Sequence, residues 1–72
     1  MTISKTQKII DDIKAKIESG ELRPGDQIPS AAELRAQHGV SITVVRGAVS
    51  WLKATGLVKG VPGVGVFVAE KP

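Results

Sequence analysis

Residues 29–57 read PSAAELRAQHGVSITVVRGAVSWLKATGL, and this stretch decides the fold. It holds two short helices joined by a tight turn at His38-Gly39-Val40. Ser30 offers a hydroxyl N-cap with Glu33 three residues on, the spacing of a capping box. Ser41 offers a second cap. Behind it Val45, Ala48, Val49 and Leu52 recur at i, i+3, i+4 and i+7, which makes one buried helical stripe. Gly56 stands where a left-handed residue ends a helix. A helix, a glycine-containing turn and a second capped helix form a helix-turn-helix, whose second helix is shaped to enter a DNA major groove.

The flanks narrow the reading. Upstream stand Ser19-Gly20-Glu21-Leu22-Arg23-Pro24-Gly25-Asp26 and Ile28-Pro29-Ser30; downstream come Gly56-Leu57-Val58 and Gly63-Val64-Gly65-Val66-Phe67-Val68. In this order and spacing the segments closely resemble the winged-helix DNA-binding domain of the GntR family of bacterial transcription regulators, from about Thr6 to Val68. The resemblance implies an α+β fold, a winged helix-turn-helix of three helices plus a small antiparallel β-sheet forming the wing. It further implies a sequence-specific regulator of transcription, a repressor, with double-stranded DNA as its partner. Helix 42–54 would lie in the major groove and the 59–66 hairpin would serve as the wing.

Composition sets the outer bounds. With 72 residues the chain has room for one domain, its core at about 5–69; such a domain buries roughly 60% of its unfolded surface. There is no cysteine, so disulfides and thiolate metal sites are excluded, and the lone His38 cannot build a metal site or a triad. No apolar run approaches the ~20 residues that span a bilayer, and no signal peptide opens the chain, so a cytoplasmic protein associated with the nucleoid is expected. No nucleophile–base pair, carboxylate dyad or phosphate-cradling loop is present, and Gly63-Val64-Gly65 belongs to a hairpin rather than preceding a helix. An enzyme, a cofactor and a small-molecule ligand within this domain are therefore not expected.

Net charge is +3 and the sequence pI about 9.6. From Leu34 to Ala69 the chain carries Arg35, Arg46, Lys53 and Lys59 and no acidic residue, whereas Asp11, Asp12, Glu18, Glu21 and Asp26 cluster earlier. One half of the domain is thus positive and unopposed, as a phosphate-facing surface requires.

Taken in order, Met1 to Ser4 should fray, and a first helix should run from Ser4 or Lys5 to Ser19 with Ile9, Ile10, Ile13 and Ile17 inward. Gly20 stops it and Pro24-Gly25 makes a turn. Gln27-Ile28 should form a short strand, helix two should span Ala31 to Gln37 with Leu34 inward, and Val40 should plug the gap between helices. Helix three should run from Ile42 to Ala54 or Thr55. Leu57-Val58 begins a strand, Gly60-Val61-Pro62-Gly63 holds the turn, and Val66-Phe67-Val68 returns, with Phe67 closing the core. Glu70 to Pro72 should trail without structure. The resemblance places a Tyr where this chain has Thr6, so that packing contact is expected to be missing.

On a helical wheel the stripe of helix three leaves Thr43, Arg46, Gly47, Ser50 and Lys53 facing out. Arg46 is suited to bidentate contact with guanine or to a phosphate fork, and it falls on the arginine of the family's VSxxxVR pattern. Ser41 and Thr43, in the first turn, and Ser30, at the start of helix two, can meet phosphates as well as cap. Gly47 allows close approach of DNA, and Arg35, Lys59 and Gly63 complete the candidate set. Three positions depart from the family pattern: a basic one is Ala32, an arginine is Ile42, and the Gly-Arg-Gly of the wing is Gly63-Val64-Gly65. Ile42 would then read a thymine methyl, or DNA affinity would be weak and depend on a dimer or a partner protein. Val61, Pro62 and Val64 cannot hydrogen-bond a minor groove through their side chains, and would pack on sugar and backbone.

Val44 and Trp51 share a flank of helix three that relatives keep polar, Trp51 about 240° around from Val45. Either Trp51 folds over the edge of the core, or the pair marks a protein interface, such as a homodimer. The second reading of the whole chain follows from it: a winged-helix protein–protein interaction module with weak or no specific DNA binding. GntR regulators normally continue into an effector-binding or oligomerisation domain, so the chain is expected to be either such a regulator's N-terminal part or a short stand-alone regulator.

Overall fold

The computed structural model describes residues 4–70, so the expectations for Met1–Ile3 and for Lys71–Pro72 fall outside the described residues. The first helix, α1, spans Lys5–Ser19; Ser4 caps it, its Oγ accepting the Gln7 N–H at 3.0 Å. Ile9, Ile10 and Ile13 are buried along one stripe, with Ile17 half-buried at its end. α2 runs Ala31–His38 and α3 runs Ile42–Ala54. They pack so that Leu34, Val45, Ala48 and Leu52 meet the α1 isoleucines. Burying a side chain such as Leu52 contributes about 1.5–3 kcal/mol.

α2 is one residue longer than expected, because Gly39 rather than His38 takes the left-handed conformation, with φ 62°. The Gly39 N–H then bonds the Arg35 carbonyl, and the connection to α3 is Gly39-Val40-Ser41. Val40 is half-buried there against the core, as expected. α3 closes with paired bonds, Leu57 N–H to Leu52 O and Gly56 N–H to Lys53 O, both 3.1 Å, while Gly56 sits at φ 81°. This double bond is the Schellman arrangement, and it turns the chain straight into the sheet.

β1 (Val58–Val61) and β2 (Gly65–Val68) pair antiparallel, with Val58 opposite Val68 and Lys59 opposite Phe67. Residues directly opposite share a face. Val58 and Val68 are both buried, so Phe67 must point away from the core. The expectation that Phe67 closes the core is therefore wrong; it is half-exposed and bridges to Gln27. The turn also lies further along than expected. β1 continues through Val61, and Val64 N–H bonds Val61 O at 3.0 Å around Pro62 and Gly63. Pro then Gly at φ 75° is the order a type II turn demands.

The short strand expected at Gln27-Ile28 is reduced to an isolated antiparallel bridge, Gln27 opposite Phe67, on the edge of the two-stranded sheet. Val68 N–H bonds Asp26 O at 2.7 Å, and Ile28 and Gly25 donate to the Val66 and Val68 carbonyls, both at 2.9 Å. The loop between α1 and α2 is thereby stitched to β2. Among the described residues no helix is long and apolar enough to cross a membrane. The expected architecture, a winged helix-turn-helix of three helices and an antiparallel hairpin, is the one observed.

Candidate nucleic-acid interface

Ser41 begins α3 in extended conformation, and its Oγ accepts the Val44 N–H at 3.4 Å. The next residues, Ile42 (37% exposed) and Thr43, stand open to solvent. Further along, Arg46, Ser50 and Lys53 follow at intervals of four and three residues, which keeps them on one side of the helix. That side forms a wall of a groove of about 340 Å³. The opposite wall comes from Gln27 to Ala31 and from Val64 to Val66. Arg46 and Lys53 line it and, among the described residues, no carboxylate does. Val49, expected in the buried stripe, is only half-buried because it lies at the stripe's edge, where it floors this groove.

Lys53 reaches furthest toward the wing. A Cβ placed on Gly60 would stand 3.0 Å from its Nζ, so the bare backbone of Gly60 leaves the lysine room to lie across the root of the hairpin. Ser30 borders the same groove, but its hydroxyl is already engaged: Oγ accepts the Glu33 N–H at 3.1 Å and faces the Glu33 carboxylate at 3.4 Å. Ser30 and Ser41 are thus caps first.

The other sequence candidates lie elsewhere. Arg35 and Lys59 are exposed but do not line the groove, and Gly63 sits at the wing turn. Gly47 is exposed on the side of α3 nearer α1, where a Cβ would meet Thr6 Cγ2 at 3.9 Å. Two small residues, Thr6 and Gly47, thus face each other at the position where the resemblance places a tyrosine and where its packing contact was expected to be missing. Val44 is half-buried and packs against the core, whereas Trp51 is 42% exposed and carries Lys14 Nζ 5.7 Å from its ring centroid. His38 Nε2 lies 3.5 Å from Asp12 Oδ2, bringing the end of α2 close to α1, without a hydrogen bond between the two groups. No three His, Cys, Asp or Glu side chains gather as a metal site among the described residues.

Two participants escaped the sequence reading. Gln27 donates its amide N–H to the Val64 carbonyl at 3.2 Å, across 37 residues of chain, and no local pattern announces such a pair. Lys14 was hidden by its place on an ordinary charged helix; its position one turn below Ile10 gave no sign of Trp51.

This geometry has known counterparts. Residues 5–68 match the family model described as bacterial regulatory proteins, gntR family. The chain belongs to the GntR family. It is 47% identical over 64 residues to the histidine utilization repressor of Klebsiella aerogenes, covering 89% of this chain and 27% of the relative. To the mannosyl-D-glycerate transport/metabolism system repressor MngR of Escherichia coli it is 35% identical over 65 residues, covering 90% and 27%. The DNA-binding domain of AraR, solved in complex with operator ORR3, superposes with a TM-score of 0.92 at 35% identity, over 96% of this chain and 83% of that one. The GntR-family chain described here therefore spans about a quarter of the length of these two curated relatives.

Proposed function

We propose that this chain acts as one DNA-binding domain of a bacterial transcription regulator, binding double-stranded DNA with α3 in the major groove and the hairpin alongside. The observation that carries the reading is the groove between α3 and the wing, whose charged side chains among the described residues are Arg46 and Lys53. Arg46 is the base-reading residue. Ser50 and Thr43 face the same duplex; Ser41 and Ser30 add backbone contacts at their helix starts; Lys53, Lys59 and Arg35 hold phosphates. Ile42 meets a thymine methyl and Gly63 permits close approach, whereas Gly47, beside Thr6 on the α1 side, does not belong to this surface. AraR, whose domain superposes on this one, was solved with an operator, and two relatives are named repressors. Repression by occupying an operator, in the cytoplasm on the nucleoid, is the corresponding role, without catalysis.

Selection of bound sites from random duplexes, followed by titration at increasing salt, tests the reading. Four cationic contacts per subunit should give a log K against log salt slope of about −3 to −4. A flat salt response, or no binding at low salt, would leave the interaction-module reading standing instead. The half-exposed Trp51 favours one addition: a homodimer contact on the α1 side of α3, formed on paired half-sites.

A further inference from the structure

We propose that the groove between α3 and the wing is also a ligand site, for an amphipathic organic anion with one carboxylate on an apolar chain, and that this ligand excludes DNA. The consequence for DNA rests on the DNA-binding reading above; the site itself does not. At about 340 Å³ the groove has the size of a small-molecule pocket. Its floor is apolar. Ile28 and Val45 are its most buried lining residues, 4% and 1% exposed, and the half-buried Val49 and Val66 widen it.

Floor and rim call for different halves of one molecule. A phosphodiester backbone supplies charge to Arg46 and Lys53, but it has no aliphatic chain with which to cover these valines and Ile28. Apolar surface removed from water is worth roughly 25 cal/mol per Å², which favours an occupant that covers them. The Arg46 guanidinium suits a carboxylate, taken as a fork of two hydrogen bonds. Lys53 stands seven residues on, about 10 Å further along the helix, so an apolar chain can follow the floor between the two cations. Among the described residues, no carboxylate lines the groove to repel such an anion.

Both walls are already in place. Val45 anchors the α3 side in the core, and on the other side Ile28 N–H holds Val66 O at 2.9 Å while the Gln27 amide holds Val64 O at 3.2 Å. A preformed groove spares its ligand the cost of ordering it. The carboxylate takes the guanidinium assigned to DNA, and the chain fills the space between α3 and the hairpin, so ligand and duplex compete. Nothing in helix three announces such a site, because residues 27–31 and 64–66 reach it only in the fold.

The test titrates the 72-residue chain with sodium octanoate, read by backbone amide signals and thermal unfolding. Sodium butyrate at equal concentration is the short-chain control of the same ionic strength. Octanoate should move the amides of Val49, Ser50 and Val66 and raise the unfolding temperature, as a ligand of the native state does. It should bind about 10-fold more tightly than butyrate, as half-burying its additional methylenes requires. Octyltrimethylammonium should leave those amides in place. Val49→Thr and, separately, Val66→Thr each set a hydroxyl in the floor and should weaken octanoate about 3- to 10-fold with DNA affinity unchanged. A duplex selected at low salt should be released by octanoate and not by butyrate. Equal effects of butyrate mean an anion on Arg46 alone and overturn the site. So do equal effects of octyltrimethylammonium, or a lowered unfolding temperature, which is the action of a detergent. Octanoate that binds but leaves the duplex in place overturns the exclusion. A chain that binds octanoate but no duplex at low salt overturns the DNA reading and leaves the ligand site standing, a result distinct from the others.

Discussion

The two flanks of α3 differ in kind although they belong to one helix of thirteen residues. Toward the wing stand Arg46, Ser50 and Lys53, polar groups around an open groove. Toward α1 stand Val44, Gly47 and Trp51, where the helix lies close to Thr6 and Lys14. One flank offers charge to a polyanion. The other offers an aromatic face under a single lysine. A recognition helix can thus carry two surfaces for two partners, provided the buried row of Val45, Ala48 and Leu52 keeps them apart.

That row is the place to break the comparison outright. Leu52→Ala should cost about 2–5 kcal/mol of stability, and both flanks should fail together. Thermal unfolding and DNA binding measured on the same sample check this; DNA affinity that survives a lost thermal transition would show that the flanks do not depend on the core. Arg46→Ala should cost roughly 1–3 kcal/mol of specific binding and relax one base position. Its unfolding temperature should hold, because Arg46 lies off the buried row. An equal loss on every sequence would reassign Arg46 to phosphate, and unchanged binding would remove it from the interface.

The opposite flank gives smaller effects. Trp51→Lys should abolish cooperative binding to paired half-sites while shifting the unfolding temperature by less than the roughly 4 °C that 1 kcal/mol produces in a domain of this size. A larger drop would place Trp51 in the core and end the dimer idea. Smallest is Lys14→Met, which removes the cation above the indole and should cost about 0.5–1 kcal/mol, seen in chemical denaturation with DNA affinity unaltered. Altered DNA affinity there would mean that the flanks are not independent.

The helices were legible because their signals are local. Ser4, Ser30 and Ser41 each cap the helix that follows, and Gly20, Gly39 and Gly56 each take the left-handed conformation that ends one. Spacing over a few residues carries such information. The sheet was less legible, because inward and outward sides depend on register between distant residues. Phe67 was assigned to the core on its size, yet pairing of Val58 with Val68 turns it outward. The groove is harder still. Arg46 and Ser50 could be placed on a face by periodicity, but nothing within helix three shows that Lys53 lies over Gly60 or that Gln27 reaches Val64.

The stitching of the α1–α2 loop onto β2 also governs the order of assembly. The β1–β2 hairpin closes over a three-residue turn and can form by itself, as can each helix; the Gln27–Val64 and Asp26–Val68 bonds cannot, since they join the two halves of the chain. Closing a loop of that length carries an entropy cost that only docked helices offset. The hairpin should therefore acquire its fixed orientation in the last step of folding, and amide protons of Ile28 and Val68 should exchange only when the whole domain opens.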